Sequence, residues 1–212
     1  MLVVLVFPPA TAELVKTHVP TDARVIAVDA GAEACLQAGV VPEVIVGDMD
    51  SVRALTLEAL HGQGARIVRH PAEKRDTDGA LALAEARDAD EILFLGAGGG
   101  RADHAYANLH LLWAAAGRAR VRAVDEDALA WVVTPRAPAA LDLAPGTVVS
   151  VLPLLEGCEG ITYEGLRYGL QGASMRVGDP YGMSNVAVVP QQRIRISKGT
   201  LLVIAPRMPP TP

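Results

Sequence analysis

The chain has 212 residues, half of them apolar and a fifth charged, with a formal net charge of −5. This composition is typical of a globular protein long enough to bury a core in one large or two small domains, and it excludes an intrinsically disordered chain. Basic and acidic residues are interspersed without a basic face, so we expect no nucleic-acid partner.

The two cysteines and the hydropathy of the chain favour a cytoplasmic location. Cys35 and Cys158 lie far apart without metal-binding spacing, which excludes a zinc ribbon and a disulfide framework and favours a reducing cytoplasm. The apolar N-terminus is too short to cross a bilayer and lacks a basic leader, so it is interpreted as a buried strand. We therefore predict a soluble, cytoplasmic protein without a membrane partner.

Residues 1–134 alternate short Val/Ile/Leu runs with helical patterns, which predicts a parallel sheet covered on both faces. The predicted strands are 2–7, 24–28, 44–46, 66–68, 91–95 and 120–124. The predicted helices are 11–17, 32–38, 52–61, 77–87 and 103–116. In such sheets, ligands bind at the carboxyl ends of the strands.

Residues 135–212 are rich in Pro and Gly, which excludes long helices and predicts a small antiparallel sandwich or barrel. The predicted strands of this region are 147–152, 160–163, 185–189, 193–196 and 200–204. We place the boundary between the two predicted domains at residues 134–140. The fold class is thus α/β, with a parallel-rich N-terminal domain and an antiparallel C-terminal domain.

Acidic residues repeatedly follow predicted strands or open predicted helices. They are Asp29, Asp48, Asp50, Asp76, Asp78 and Asp103. Carboxylates collected at one sheet edge repel one another unless a cation joins them, and Mg²⁺ is the cation that best fits carboxylates, waters and phosphates. Helix capping is the alternative explanation for Asp50, Asp76 and Asp78 taken singly. Lys74 and Arg75 either meet phosphate or lie in a solvated loop.

A glycine-rich turn, Leu95-Gly-Ala-Gly-Gly-Gly-Arg101, precedes the last of these helices. Its amides and the helix dipole suit an anion, although the turn is neither a Walker A loop nor a GxGxxG motif, and a simple tight turn remains the alternative. Arg101, His104 and Asn108 fall on one arc of the helix and form a donor-rich ridge. Asp103 falls on the opposite side and is interpreted as an N-cap.

Taken in order, these segments resemble the thiamine pyrophosphokinase family. The matching segments are Asp-Ala-Gly31, Gly-Asp-Met-Asp-Ser51, Asp-Thr-Asp78, Gly-Gly-Arg-Ala-Asp-His104 with Asn108, and Met-Ser-Asn185. The resemblance implies a catalytic, ATP-binding α/β domain at 1–134 and a thiamine-binding β-sandwich at 135–212. It also implies a homodimer with active sites between subunits, and transfer of diphosphate from ATP to the hydroxyl of thiamine, which leaves AMP.

The resemblance also implies residue roles. Mg²⁺ would be held by Asp48, Asp50 and one of Asp76 or Asp78. ATP would be bound by Asp29, Gly99, Gly100, Arg101, His104 and Asn108. The residues implied in catalysis are Asp48, Asp50, Asp78, Arg101 and Asp103. Thiamine would contact Ser184 and Asn185.

Two departures from the family pattern bear on the acceptor. Ala30 stands where the family commonly has glycine, and no tryptophan follows Trp131, whereas many eukaryotic members stack a C-terminal tryptophan on thiamine. One alternative is a pyrophosphokinase for another alcohol, such as a hydroxymethylpterin. A second is a DxD phosphatase, which would carry its acidic pair on the first strand. A third is a nucleotide-sensing module without turnover, which would gain nothing from six carboxylates.

Overall fold

A computed structural model describes residues 1–207. Its contacts divide the chain into two compact units, the first formed by residues 1–111 and 123–126 and the second by residues 112–122 and those from 127 onward. Residues 208–212 of the predicted second domain lie outside the described range. Within residues 1–207, no helix is both long and apolar enough to cross a bilayer.

The first unit is built from parallel strands joined by helices, as predicted. Its strands are β1 (Leu2–Val6), β2 (Arg24–Val28), β3 (Val44–Gly47), β4 (Arg66–Arg69), β5 (Glu91–Leu95) and the end of β6 (Arg120–Val124). Its helices are α1 (Ala12–His18), α2 (Gly31–Ala38), α3 (Ala54–Gly62), α4 (Asp78–Glu85) and most of α5 (Ala102–Ala116). The strand order is β6-β5-β1-β2-β3-β4, and β5-β1-β2-β3-β4 are parallel throughout.

The central strands of this unit are buried on both faces. Val3, Val4, Leu5 and Val6 are each fully buried at consecutive positions of β1. Since successive side chains of a strand point to opposite faces, both faces of the sheet are covered there. Polar side chains can therefore gather only where these strands end.

The second unit is a sandwich of two antiparallel sheets, which excludes the barrel. Its strands are β7 (Ala128–Val133), β8 (Ala139–Leu141), β9 (Val148–Pro153), β10 (Cys158–Glu164), β11 (Ala173–Met175), β12 (Asn185–Val186), β13 (Gln192–Arg195) and β14 (Leu201–Pro206). One sheet contains β12-β9-β14-β7 and the other β11-β10-β13-β8. Side chains of both sheets form one buried cluster, including Val151 and Val203 from the first and Ile161 and Ile194 from the second.

This unit differs from the sequence prediction in several details: the strands β7, β8 and β11 are not among the predicted ones. The strand β7 pairs along its whole length with β14 and belongs to the second unit, which begins its longer segment at residue 127. The domain boundary at residues 134–140 stays a prediction. The predicted strand 185–189 is regular only at Asn185–Val186. Beyond it, Ala187 forms an isolated bridge with Leu166, because this edge pairs with an irregular loop instead of a strand.

Candidate active site

Three carboxylates meet where β2 and β3 end. Asp29 directly follows β2, and Asp48 and Asp50 follow β3, its parallel neighbour. Each offers an oxygen, and the three oxygens lie within 4.8 Å of one another. The structure thus brings Asp29, which the resemblance assigned to ATP, into the same group as Asp48 and Asp50.

The backbone at these strand ends is in an unusual conformation. Asp29 has φ 44° and Met49 has φ 66°, in the left-handed region that costs a non-glycine residue about 1 kcal/mol or more. Met49 buries its side chain, and the Asp50 amide donates to Asp48 Oδ1 at 3.2 Å. This tight turn directs the Met49 side chain inward and leaves the carboxylates on either side of it at the strand end.

Asp29 is the most enclosed member of the group. It is only 8% exposed, and its Oδ1 has no hydrogen-bond partner within residues 1–207. Burial raises the pKa of its carboxyl, and the nearby Asp78, Asp48 and Asp50 raise it further. A buried, unpartnered carboxylate oxygen facing two other carboxylates fits a hard divalent cation, which would satisfy that oxygen and offset the repulsion.

Lys74 lies beside this group. Its Nζ is 3.1 Å from Asp78 Oδ1 and 3.8 Å from Asp48 Oδ2, and it donates to the Pro71 carbonyl at 3.1 Å. The lysine side chain is only 15% exposed, which rules out a loosely solvated position. Of the two alternatives that the sequence allows for Lys74, the solvated loop is therefore excluded, and the phosphate contact stays a prediction.

Asp76 and Asp78 separate at the start of α4. Thr77 is the N-cap, and its hydroxyl accepts a hydrogen bond from the Ala80 amide at 3.2 Å. Asp78 therefore begins the helix and faces Lys74, whereas Asp76 is exposed ahead of it and is not part of the acidic group. Asp78 does not belong to the acidic group either, but its charge raises the pKa of Asp29, so it lies nearer to the group and is the better candidate for a third metal ligand.

Glu33 of α2 anchors the segment that carries Asp48 and Asp50. One carboxylate oxygen accepts from the Arg53 amide at 2.9 Å, and the other accepts from the Arg53 guanidinium and from Thr56 Oγ1 at 2.9 Å. Hydrogen bonding to Arg53 is the main cause that lowers the pKa of Glu33. Glu33 thus takes the place of a side-chain cap at the start of α3 and holds the end of the loop before that helix.

The conformation of the glycine-rich turn is constrained by its packing against neighbouring segments. Gly96 has φ 77°, and a Cβ on it would lie 2.4 Å from the Ala10 amide nitrogen. The Gly98 amide donates to Asp125 Oδ1 at 2.8 Å, so this amide is already engaged. The turn therefore needs glycine for close backbone approach, and Gly99 and Gly100 remain the amides predicted to meet phosphate.

Near the start of α5, one predicted site residue is hydrogen-bonded to the glycine-rich turn and the others are exposed. Asn108 Nδ2 donates to the Ala97 carbonyl at 2.8 Å and so holds the glycine-rich turn. Arg101 and Asp103 form an exposed ion pair at 2.7 Å, and His104 is exposed next to them. The interpretation of Asp103 as an N-cap is wrong, because α5 begins at Ala102 and Asp103 lies within its first turn.

Ser184 and Asn185, the predicted thiamine contacts, lie in the second unit and differ in environment. Ser184 is exposed at φ 55°. Asn185 is 4% exposed: its Oδ1 accepts from the Tyr168 and Val186 amides, and its Nδ2 donates to the Tyr168 carbonyl at 2.9 Å. Asn185 therefore holds the loop that presents Tyr168, a role that the sequence did not predict.

The model of the family "Thiamin pyrophosphokinase, catalytic domain" matches residues 16–123, which include every carboxylate of the acidic group. The chain belongs to the thiamine pyrophosphokinase family. A second family model, "Thiamin pyrophosphokinase, vitamin B1 binding domain", matches residues 138–201. The recognised relationship therefore extends over both units.

Members of the thiamine pyrophosphokinase family resemble this chain in sequence and in structure. A thiamine pyrophosphokinase of Bacillus subtilis is 28% identical over 182 residues, which cover 84% of this chain and 85% of the relative. A solved thiamine pyrophosphokinase structure from the same species superposes with a TM-score of 0.85 at 22% identity, covering 98% of this chain and all of the other. The structure from Geobacillus thermodenitrificans gives a TM-score of 0.78 at 25% identity, covering 98% of each chain.

Proposed function

We propose that this chain transfers diphosphate from ATP to the hydroxyl group of thiamine, yielding thiamine diphosphate and AMP. The observation that carries the proposal is the order of two family matches on one chain, a catalytic domain followed by a vitamin B1 binding domain. The acidic group formed by Asp29, Asp48 and Asp50 lies inside the catalytic match and suits the chemistry of a magnesium nucleotide.

In the proposed site, Asp29, Asp48 and Asp50 would hold Mg²⁺. The unpartnered Asp29 Oδ1 and the clustering of three carboxylates support this choice of ligands. Bound there, Mg²⁺ would supply positive charge to the phosphates of ATP. Asp78, which is paired with Lys74, lies close enough to join the set through rearrangement of that pair.

The thiamine hydroxyl attacks the β-phosphorus of ATP, the bond from that phosphorus to the α,β-bridging oxygen breaks, and AMP departs with the bridging oxygen. The hydroxyl proton passes to a carboxylate of the acidic group. Arg101 leaves its exposed pair with Asp103 to bind the phosphates, and the Gly99 and Gly100 amides and His104 assist it. Asn108 acts by holding the glycine-rich turn. Catalysis then consists mainly of positioning and charge stabilisation.

The direct test is an assay of the purified chain with ATP, Mg²⁺ and thiamine, scored for AMP and thiamine diphosphate. Parallel reactions replace thiamine with hydroxymethylpterin or supply a phosphate monoester alone. We expect equal amounts of AMP and thiamine diphosphate in the first reaction and no turnover in the others. Diphosphate transfer to the pterin, or release of phosphate from the monoester, would support one of the alternative activities instead.

We propose that Ser184 and the loop held by Asn185 form the thiamine site, and we predict different effects for their alanine variants. Asn185→Ala removes acceptors and a donor from buried backbone groups and should lower the free energy of unfolding by about 2–3 kcal/mol. Because the Tyr168 loop is then released, the thiamine KM should rise about tenfold while the ATP KM stays within about threefold. Urea unfolding and two-substrate kinetics measure these quantities.

Ser184→Ala is the matched control for Asn185→Ala. Ser184 is exposed, so its removal should change the free energy of unfolding by less than about 0.5 kcal/mol and affect only the thiamine KM. A folded Asn185→Ala enzyme with a raised ATP KM and an unchanged thiamine KM would contradict the assignment of this region to thiamine.

We also propose a homodimer. Near Ser184, the second unit exposes apolar side chains in two hydrogen-bonded segments, including Tyr168 at 64%, Tyr181 at 67% and Met183 at 51% exposure. Apolar surface of this kind is typical of an interface between protein chains. Sedimentation equilibrium at micromolar concentration should yield the dimer mass. Full activity of a demonstrated monomer would contradict the proposal.

The cytoplasm is the compartment that we propose. Cys35 and Cys158 are both buried and form no disulfide. Burial raises the pKa of Cys35 to about 12 and that of Cys158 to about 11, so both remain protonated thiols with little reactivity.

A further inference from the structure

Lys74 lies between two carboxylates of the first unit, and one of them, Asp48, belongs to the acidic group. Its ammonium group donates a hydrogen bond to the Pro71 carbonyl at 3.1 Å, and its charge pairs with Asp78 Oδ1 at 3.1 Å and with Asp48 Oδ2 at 3.8 Å. Both carboxylates are largely enclosed, with side chains 27% and 18% exposed. The pairing is therefore less screened by solvent than an ordinary surface ion pair.

Lysine is a rare residue in this chain. The sequence contains 16 arginines and only three lysines, Lys16, Lys74 and Lys198. A compact ammonium places its charge between separate carboxylates, whereas a planar guanidinium presents a fixed fork that suits one carboxylate. Lysine thus stands between two carboxylates in a chain that otherwise uses arginine for most of its positive charges.

Asp48 links this lysine to the acidic group. One of its oxygens faces Lys74, and the residue also belongs to the group formed with Asp29 and Asp50. A divalent ion bound to that group would therefore lie near the ammonium charge, and the two cations repel each other. The phosphates of a nucleotide would bring enough negative charge to stabilise both cations together.

We propose that Lys74 is a positioning residue that serves as a built-in counter-cation. It holds Asp48 and Asp78 in place before metal binds, weakens the binding of a lone divalent ion, and so makes the site retain metal chiefly together with the nucleotide. The inference rests on the proposed function for the identity of the metal and the nucleotide.

The test is Mn²⁺ binding to the full chain, followed by electron paramagnetic resonance of the free ion. Lys74→Met should bind Mn²⁺ alone about tenfold more tightly than the unchanged protein, because the repelling charge is gone. Adding α,β-methylene ATP, which cannot be cleaved at the reacting bond, should tighten Mn²⁺ binding in the unchanged protein. The same addition should have a several-fold smaller effect in Lys74→Met.

Two variants separate charge from packing. Lys74→Arg keeps the charge, so its affinity for Mn²⁺ alone should stay within about threefold of that of the unchanged protein. Lys198→Met removes an exposed lysine that pairs with Glu159 in the second unit, and it should leave Mn²⁺ binding unchanged. Equal or weaker Mn²⁺ binding by folded Lys74→Met, or tightening by Lys198→Met to the same extent, would overturn the inference.

The variant Asp50→Asn separates the role of Lys74 from the proposed metal site. If Asp50→Asn binds Mn²⁺ as tightly as the unchanged protein, the metal assignment itself is wrong. If Asp50→Asn loses Mn²⁺ binding while Lys74→Met shows no gain, the metal assignment stands and the role of Lys74 is wrong.

Discussion

Asp50→Asn is expected to lower kcat by about a thousandfold or more at saturating Mg²⁺, while the protein remains folded. Asp50 is exposed at the end of β3, and its carboxylate accepts a hydrogen bond from the hydroxyl of its neighbour Ser51 at 2.7 Å. Little of the fold depends on this charge, and its removal reduces repulsion within the acidic group. Turnover should suffer because an amide is a poor substitute for a metal-binding carboxylate at a site of phosphoryl chemistry.

The measurements are steady-state kinetics across a Mg²⁺ titration and thermal unfolding without metal. Asp76→Asn is the matched control, since Asp76 is also exposed but lies outside the acidic group. It should change kcat by less than about threefold. Near-normal turnover of Asp50→Asn at ordinary Mg²⁺ would mean that its carboxylate does not hold the metal.

Gly31→Ala is expected to remove about 3–5 kcal/mol of the free energy of unfolding. A Cβ at this position would lie 2.0 Å from the carbonyl oxygen of Val6 and 2.8 Å from its carbonyl carbon. Both atoms belong to the backbone of the buried strand β1, which cannot move aside without disturbing the centre of the sheet. Overpacking of this severity consumes a large part of the 5–15 kcal/mol that typically stabilises a domain.

Gly62→Ala is the control for this substitution. Gly62 also lies in a helix, α3, but nothing approaches within 4 Å of its expected Cβ. Alanine there should stabilise the protein by up to about 1 kcal/mol through its higher helix propensity. Both values come from urea unfolding. If Gly31→Ala stays within 1 kcal/mol of the unchanged protein, the approach of α2 to β1 is looser than this geometry.

The sequence alone determined the class of each unit and the grouping of the central acidic residues. Near-continuous apolar runs separated by helical patterns are typical of a parallel sheet covered on both faces, and short runs among Pro and Gly are typical of antiparallel sheets. Because adjacent parallel strands end at the same edge, the position of Asp29 after β2 and of Asp48 and Asp50 after β3 was enough to bring them together. The order of strands and acidic residues along the chain was sufficient for this prediction.

Only the tertiary structure decided the contacts between residues far apart in the sequence. The position of Lys74 near Asp48, the use of the Gly98 amide by Asp125, and the loop held by Asn185 each join segments 17 or more residues apart. The pairing of β7 with β14 also joins segments that lie far apart in the sequence. No periodicity or motif specifies such contacts, since they depend on which side chains face each other after the sheets have formed.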